Sequence, residues 1–342
     1  MSLPRHRSRA FVLARRPRGQ LEEACFTLTE EALPPLGCDE VLVDNLAMSI
    51  DPYMYLRAVG GELAGGSYEI GGTPDAYAIG RVRESRSDRY RAGDLVTSFA
   101  GWRDCFVSAA SSVEPAPAGF ALSPEAHLSV LGVAAFTAWV GMTQFVRPAA
   151  GQVIFISGAA GGVGVVACQL AARAGLKVVA SAGTDEKCAW LAGLNNVHTI
   201  NYRQAPDLLA ALRAEAPDGI DLYFDNVGGH HLETAIRHAK PRAQFIACGA
   251  ISSFVESEDP RSGLTDIRML PTKSITMHAY TVSHFFHLHD DFIDFMRDWL
   301  REGGPVVPMT VFEGLEAAPR ALRSLFGGGN LGKTIVRIAD AA

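Results

Sequence analysis

No two of the six cysteines stand in a CxxC pair: Cys25, Cys38, Cys105, Cys168, Cys188 and Cys248 are scattered along 342 residues. That scatter excludes a disulfide framework and a thiolate-rich zinc lobe, and it fits reduced thiols in a cytosolic protein. No run of about 18 apolar residues is evident, so no membrane-spanning helix is expected. Positive charge is not in excess either. The formal net charge of -6 argues against a nucleic-acid-binding surface. The one basic cluster, Arg5, Arg7, Arg9, Arg15, Arg16 and Arg18, has no apolar segment of the kind a targeting peptide needs. It reads as a solvated terminus that runs into a first strand at 10–14.

What is present is an ordinary globular balance of 48% apolar and 20% charged residues, which excludes intrinsic disorder. The length exceeds one comfortable core and predicts two domains. The first third carries short β-like runs at 40–43, 78–82 and 94–99, punctuated by Gly and Pro. Many short strands so punctuated predict a partly closed β-barrel. Near Ser123 the pattern changes. Solid apolar strands at 152–157, 177–182, 197–202, 220–227, 244–250 and 274–282 then alternate with helices at 164–174, 185–194, 207–216, 229–239 and 290–301. Unbroken apolar strands alternating with helices predict a doubly wound parallel sheet of Rossmann type, covered on both faces. The segment 252–273 has weak periodicity, and segments of that kind are often functional. The tail regains β character at 332–338 and is expected to rejoin the first domain. The predicted division is a β-rich catalytic domain at 1–125 plus 305–342, and a nucleotide-binding α/β domain at 126–304.

After the first of the alternating strands comes Ser157-Gly158-Ala159-Ala160-Gly161-Gly162-Val163-Gly164, a small-residue turn opening a helix. Glycine lets backbone approach a pyrophosphate, and the helix N-terminus offers unpaired N–H groups and the positive end of a dipole. The spacing is GxxGxxG, and its strand–turn–helix context supports the dinucleotide reading. An NAD site places a carboxylate at the tip of the second strand to hold the ribose 2′-OH. Here that strand ends Ala182-Gly183-Thr184, with no carboxylate at the tip and Lys187 in the next helical turn. Room for a phosphate beside a cation favours NADP, although Asp185 and Glu186 next door pull the other way.

These residues, with the blocks Ser49-Ile50-Asp51-Pro52-Tyr53-Met54, Tyr223 to Gly229, Cys248-Gly249-Ala250-Ile251-Ser252 and Asn330-Leu331-Gly332-Lys333-Thr334, resemble the zinc-independent medium-chain dehydrogenase/reductases. The resemblance is to the branch of prostaglandin reductase (leukotriene B4 12-hydroxydehydrogenase) and curcumin reductase, and it runs over almost the whole chain. It implies a GroES-like catalytic domain beside the Rossmann domain, an active site between them, and a homodimer. It also implies NADPH on Gly161, Gly162, Val163 and Gly164 at the pyrophosphate. Lys187, Tyr202 and Asn330 would lie on the 2′-phosphate side, with Gly183 at the strand tip and Thr137 near the phosphates. Asn226 and the run Cys248, Gly249, Ala250, Ile251 to Phe254 would line the nicotinamide and its ribose. Tyr280, Thr281 and Val282 would meet the carboxamide end.

A catalytic zinc is not expected. Met48 to Asp51 lacks the first cysteine ligand, and the region near Asp75 lacks a His-Glu pair. His284, His287 and His289 read as a polar surface segment before a helix capped by Asp290. Without a Lewis acid, hydride attack on an enone needs a hydrogen-bond donor for the enolate oxygen. The tyrosine that this branch carries near 271–272 is replaced by Pro271-Thr272. Tyr53 becomes the leading candidate, ahead of Tyr55, Tyr68 and Tyr77, and the glycine-rich stretch 58–75 is a candidate substrate loop. The activity so implied is NADPH-dependent reduction of the C=C bond of small enals and enones, with no nucleic-acid or membrane partner. The alternatives are an NADPH quinone reductase and a catalytically weak NADPH-binding sensor or partner protein. Arg57 and Arg103 stand against uncharged substrates.

Overall fold

The computed structural model describes residues 6–60, 66–254 and 267–339. Arg5, the core of the 252–273 segment, part of the 58–75 stretch and the last three residues lie outside them. The chain divides into two compact units, one of Met1–Gly132, Met309–Gly329 and Lys333–Ala342, the other of Val133–Pro308 and Asn330–Gly332.

In the first unit, β1 (Arg7–Leu13) pairs antiparallel with β2 (Phe26–Ala32). β1 begins three residues before the expected 10–14, because its alternation of buried and exposed residues extends back through Ser8. Then follow β3 (Glu40–Ser49), α1 (Tyr53–Val59), β4 (Ala78–Ser85), β5 (Leu95–Ser98), β6 (Cys105–Ala109), β7 (Glu114–Pro115) and α2 (Pro124–Val130). After the second unit, the chain returns as β14 (Met309–Glu313), α10 (Ala318–Gly327) and β15 (Lys333–Arg337). The sheet runs β14-β15-β3-β4-β5-β7, with β6 also on β3. Its ends, β14 and β7, do not pair, so the barrel is open. α2 starts where the sequence pattern changes: the Ser123 hydroxyl accepts from the Ala126 N–H and Pro124 occupies the first turn. It packs on β3, β4 and β15, which moves the unit boundary from the expected 125/126 to 132/133.

The second unit holds α3 (Val133–Gln144), β8 (Val153–Ile156), α4 (Gly162–Arg173), β9 (Lys177–Ala182), α5 (Asp185–Ala192), β10 (Val197–Asn201), α6 (Leu208–Glu215), β11 (Ile220–Asp225), α7 (Gly229–His238), β12 (Ala239–Ala247), α8 (Met269–Thr272), β13 (Thr276–Ala279) and α9 (His289–Arg301). All six strands are parallel, in the order β10-β9-β8-β11-β12-β13. Numbered within the unit this is 3-2-1-4-5-6, the doubly wound order, whose chain reversal lies between β8 and β11 and whose ligands bind at the C-terminal strand ends there. Phe155, Tyr223 and Phe245 are fully or almost fully buried and pack with α6 and α7 on one face. Each such side chain contributes about 2 kcal/mol through burial.

β12 starts five residues before the expected strand. Pro241 interrupts the apolar pattern, Arg242 adopts φ 66, and the register on β11 slips between Ile220 and Leu222. A bulge can hold a proline inside a strand, and sequence periodicity does not see bulges. β12 also ends at Ala247, so Cys248 to Ala250 form a loop. β13 is shorter than the expected 274–282, because Ser274 takes φ 52 before it and a 3-10 turn spans Val282–Leu288 after it. α9 begins at His289 with Leu288 at its N-cap, so Asp290 lies inside the first turn and does not cap the helix. The consecutive α2 and α3 form one apolar stretch, Pro124–Gln144, of 21 residues, long enough to cross a bilayer and unforeseen from the sequence. Its most apolar window is 78% buried, which is how core helices behave.

The return segment is β14 (Met309–Glu313), α10 (Ala318–Gly327) and β15 (Lys333–Arg337). β15 pairs with β14 and with β3. Asn330–Gly332 instead joins the second unit, where the Gly332 N–H donates to the Ala160 carbonyl at 2.8 Å. Gly332 has φ 69, and a Cβ there would sit 1.9 Å from the Pro308 carbonyl oxygen. Gly332→Ala is therefore expected to lower unfolding stability by about 2 kcal/mol or more in urea titration; an unchanged midpoint would show that the segment yields freely.

Candidate active site

β8 ends at Ile156, and the chain turns through Gly158 at φ 58 into α4. The Gly161 N–H closes the turn on the Gly158 carbonyl at 3.1 Å. The first-turn N–H groups that follow, on Gly162, Val163 and Gly164, have no intrahelical acceptor. A Cβ on Gly164 would lie 2.4 Å from the Gly158 oxygen, so this glycine lets the helix touch its own turn. A Cβ on Gly161 would meet only that oxygen, at 3.4 Å, so the backbone there is open on its outer side. Asn330 lies by this turn: its side chain donates to the Gly332 carbonyl at 3.1 Å, and Gly332 bridges to Gly161.

At the neighbouring tip of β9, Thr184 caps α5 and Lys187 sits half-buried in its first turn. Burial first, then the charge of Arg203, push the Lys187 ammonium below its usual value, while Glu186 opposes them. Arg203 also lies 5.9 Å from the ring of Tyr202. Two cations thus share one edge. The acid that could have cancelled them, Asp185, accepts from Asn201 at 2.7 Å and from Gln204 at 2.8 Å. Gly183 has a steric reason: its Cβ would fall 3.0 Å from the Tyr202 hydroxyl. Beneath Tyr202 the buried ring of His231 packs edge-on at 4.9 Å and shares a 2.9 Å hydrogen bond with the Ser181 hydroxyl. Arg203, Ser181 and His231 were missed from sequence. Of the three, only Arg203 left a signal, a cation directly after the third strand beside Tyr202.

At the end of β11, beside β8, stands Asp225, 2% exposed. Its Oδ1 accepts from the Ser157 hydroxyl at 2.9 Å, the Tyr223 hydroxyl at 2.7 Å and the N–H groups of Val227 at 3.0 Å and Gly228 at 2.8 Å. Burial raises its carboxyl pKa, and these donors offset only part of the rise. Asn226 is locked alongside, its amide donating to the Ser157 carbonyl at 2.8 Å. The Asp225 carbonyl takes the N–H of Cys248 at 2.9 Å and of Gly249 at 3.0 Å, and the Asn226 carbonyl takes that of Ile251 at 3.3 Å. The 248–251 run, Ala250 included, is thereby stitched to the tip of β11. Tyr280 donates to the Thr137 carbonyl at 2.6 Å and hydrogen-bonds the Cys248 thiol. The buried Cys248 thiol is pushed up to about 12 and stays protonated. Thr137, Cys248 and Tyr280 therefore meet, whereas Thr281 and Val282 lead away into the 3-10 turn. The Thr137 hydroxyl donates to the Val133 carbonyl at 2.7 Å.

The first unit carries the tyrosines. Lys333, 2% exposed, donates to the Ile50 carbonyl at 2.7 Å and to Asp51 at 2.9 Å, pinning the turn into α1. Tyr53 opens α1. Its hydroxyl makes no hydrogen bond among the described residues, and burial, then Asp51 and Asp75, hold its pKa far above the usual value. The other candidates are engaged. Tyr55 donates to the Gly19 carbonyl, Tyr68 to the Asp75 carbonyl at 3.0 Å, and Tyr77 hydrogen-bonds Thr97. Arg57 pairs with Asp75 at 2.6 Å and lies 4.4 Å over the Tyr68 ring, so its charge is spent locally. Among the described residues no group of three His, Cys, Asp or Glu side chains could hold a metal ion.

Residues 9–116 match the family described as N-terminal domain of oxidoreductase, and residues 162–302 the one described as zinc-binding dehydrogenase. The 2-alkenal reductase (NADP(+)-dependent) of Nicotiana tabacum is 33% identical over 313 residues, 89% of each chain. The chain belongs to the zinc-independent medium-chain dehydrogenase/reductase family. Prostaglandin reductase 1 of Rattus norvegicus is 31% identical over 96% of this chain and 99% of that protein. The crystal structure of CurA from Vibrio vulnificus in complex with NADPH superposes with TM-score 0.91 at 27% identity, covering 97% of this chain and 99% of that one.

His231 gives a stability prediction. Burial, with His230, lowers its pKa to about 4, against about 6.5 when unfolded. Between these values the unfolded chain binds more protons, so stability is full above pH about 6.5 and falls as pH drops toward about 4. Urea midpoints measured from pH 7 to 4.5 should fall less steeply in His231→Gln than in the parent; parallel curves would mean that the imidazole is not buried neutral.

Proposed function

We propose that this chain binds NADPH along the C-terminal edge of its parallel sheet and reduces the C=C bond of α,β-unsaturated aldehydes and ketones. The observation that carries the reading is the β9 tip, which has no carboxylate and bears Lys187 and Arg203 beside Tyr202, next to a glycine turn with open N–H groups. An NAD site would need an acid for the ribose 2′-OH; paired cations and a hydroxyl fit a 2′-phosphate. The named activities of the alkenal reductase and prostaglandin reductase relatives support the substrate class.

The residues fit the cofactor as follows. Gly161 to Gly164 hold the pyrophosphate, with Asn330 beside the turn. Lys187, Arg203 and Tyr202 hold the 2′-phosphate, with Gly183 keeping Tyr202 seated. Asn226 and Cys248 to Ile251 hold the nicotinamide ribose and ring, with Tyr280 bracing the loop against Thr137. When bound, NADPH supplies a hydride to the β-carbon. The Tyr53 Oη–H donates a hydrogen bond to the substrate oxygen, where negative charge builds as an enolate. Because the Tyr53 environment disfavours phenolate, it holds its proton, and water protonates the α-carbon. Six unpaired thiols support a cytosolic location, and the family resemblance supports a homodimer.

Steady-state rates with a medium-chain enone and with a quinone, plus product analysis for the saturated ketone, test the reaction; turnover of the quinone alone would overturn it. Lys187→Ala and Arg203→Ala should each raise the NADPH Kd about tenfold, ~1.4 kcal/mol, and leave NADH binding unchanged. Equal losses for the two cofactors would remove these residues from the phosphate. Tyr53→Phe should lower kcat for the enone about a hundredfold, ~2.7 kcal/mol, with NADPH affinity intact. A full rate in that variant would exclude Tyr53 as the donor.

A further inference from the structure

The β-rich unit contains a second feature that the reaction does not use. Between the end of β5 and β6 lies a cavity of about 330 Å³, lined by Arg103, Ser98, Ser108 and Ser112, with Phe99 and Phe106 on its walls. Arg103 is half-buried, and burial lowers its pKa. The guanidinium has one hydrogen bond among the described residues, Nε to the Gly101 carbonyl at 3.3 Å. No described carboxylate lies within ion-pair distance of it. Asp104, next in sequence, is taken by Arg9 at 2.7 Å, and Glu31 acts on Arg103 only through longer-range charge. A cation withdrawn from water without a counter-charge is unfavourable, and an anion in the cavity would relieve it.

The backbone holds Arg103 in this position at some strain. Trp102 adopts φ 60, a left-handed conformation that a bulky residue rarely takes. It is kept there by complete burial, by stacking on Phe26 at 4.8 Å and by edge contact with Phe11 at 6.0 Å. The Asn45 amide clamps the loop on both sides, donating to the Ala100 carbonyl at 2.8 Å and the Arg103 carbonyl at 2.9 Å. Strain stored at one residue and over-determined by its neighbours marks places where a side chain must point in a set direction.

We propose that this cavity is an anion-binding site in which Arg103, aided by the hydroxyls of Ser108 and Ser112, takes a carboxylate or phosphate group bearing a short apolar tail. The Ser98 oxygen accepts from the Ala100 N–H at 3.1 Å, which leaves its O–H able to donate as well, and the Ser108 O–H must turn to the anion from the Ala109 carbonyl, 3.4 Å away. The apolar walls of Phe99 and Phe106 and the volume exceed what a bare anion needs. Phe99 also bonds back to Ala76 through its carbonyl at 3.2 Å, and its ring meets Tyr77 at 5.4 Å, so an occupant touches the segment that follows Asp75.

The test is binding and does not depend on whether the chain reduces enones. Thermal unfolding of the whole protein is followed with inorganic phosphate, butyrate or acetate, at ionic strength held constant with chloride. A Tm rise of about 3 °C is expected at ten times the Kd, and Arg103→Gln should abolish it. A larger rise with butyrate than acetate assigns a carboxylate with a tail, and a larger rise with phosphate assigns a phosphate group. No rise with any of them, or the same rise in Arg103→Gln, overturns the proposal. Should that variant fail to fold, phenylglyoxal labelling of Arg103 in the parent protein decides. Protection by the anion supports the site, and an unchanged labelling rate overturns it.

Discussion

A single buried carboxylate oxygen organises the edge of the parallel sheet. Asp225 Oδ1 gathers four donors, from Ser157, Tyr223, Val227 and Gly228. A carboxylate at 2% exposure is tolerable only when its charge is met in this way. The arrangement has a structural consequence. Ser157 belongs to the turn after β8, and Val227 and Gly228 to the turn after β11, so the two strand ends flanking the chain reversal are tied to one atom. The backbone carbonyls of Asp225 and Asn226 then fix 248–251. Three loops that come from distant parts of the sequence acquire one geometry, which is what a rigid dinucleotide needs from its binding edge.

Electrostatics at the neighbouring β9 tip follow the same logic with the sign reversed. Lys187 and Arg203 repel each other, and burial adds to the penalty on Lys187. Asp185 would relieve that strain if it faced the pair, but Asn201 and Gln204 hold it. In the proposed site these two cations would face a doubly charged ligand group. Tyr202 is held between Gly183, which leaves it room, and His231, which supports its ring. In the proposed cofactor site, preference for a phosphorylated ribose would rest on where acids are absent or engaged as much as on where cations stand.

The elements with strong periodicity were legible in the sequence. β8, β9, β10 and β11 are short, apolar and unbroken, and the glycine turn stands where a strand feeds a helix. Legibility failed where backbone departs from the regular forms. Arg242 and Ser274, both at positive φ, redrew the limits of β12 and β13, and no side-chain pattern announces a non-glycine residue in that region. It failed also where the interaction is nonlocal. Tyr280 and Thr137 are 143 residues apart, and only folding reveals that one hydroxyl braces the other's helix. The sequence put Tyr53 ahead of Tyr55, Tyr68 and Tyr77 because it stands in the Asp51-Pro52-Tyr53-Met54 block, but it could not say which hydroxyls are engaged. The structure ranks them by occupancy: Tyr55, Tyr68 and Tyr77 each have a partner, and Tyr53 has none among the described residues.

That unengaged hydroxyl bears on the chemistry. Burial first, then Asp51 and Asp75, disfavour its ionisation, and Arg57, which would favour it, is paired with Asp75. In the proposed reaction, a phenol so placed would keep its proton while offering it as a hydrogen bond. A strong proton donor in its place would add nothing to stabilising an enolate beyond trapping it as the enol, because the product needs its proton on carbon, not on oxygen. Lys333 contributes from below by fixing Asp51, one of the two acids that add to burial in keeping Tyr53 neutral. The β15 strand that brings Lys333 comes from the far end of the chain. The return of the tail to the first unit therefore does more than complete a sheet: it brings the ammonium that holds the Asp51 carboxylate in place beside the tyrosine.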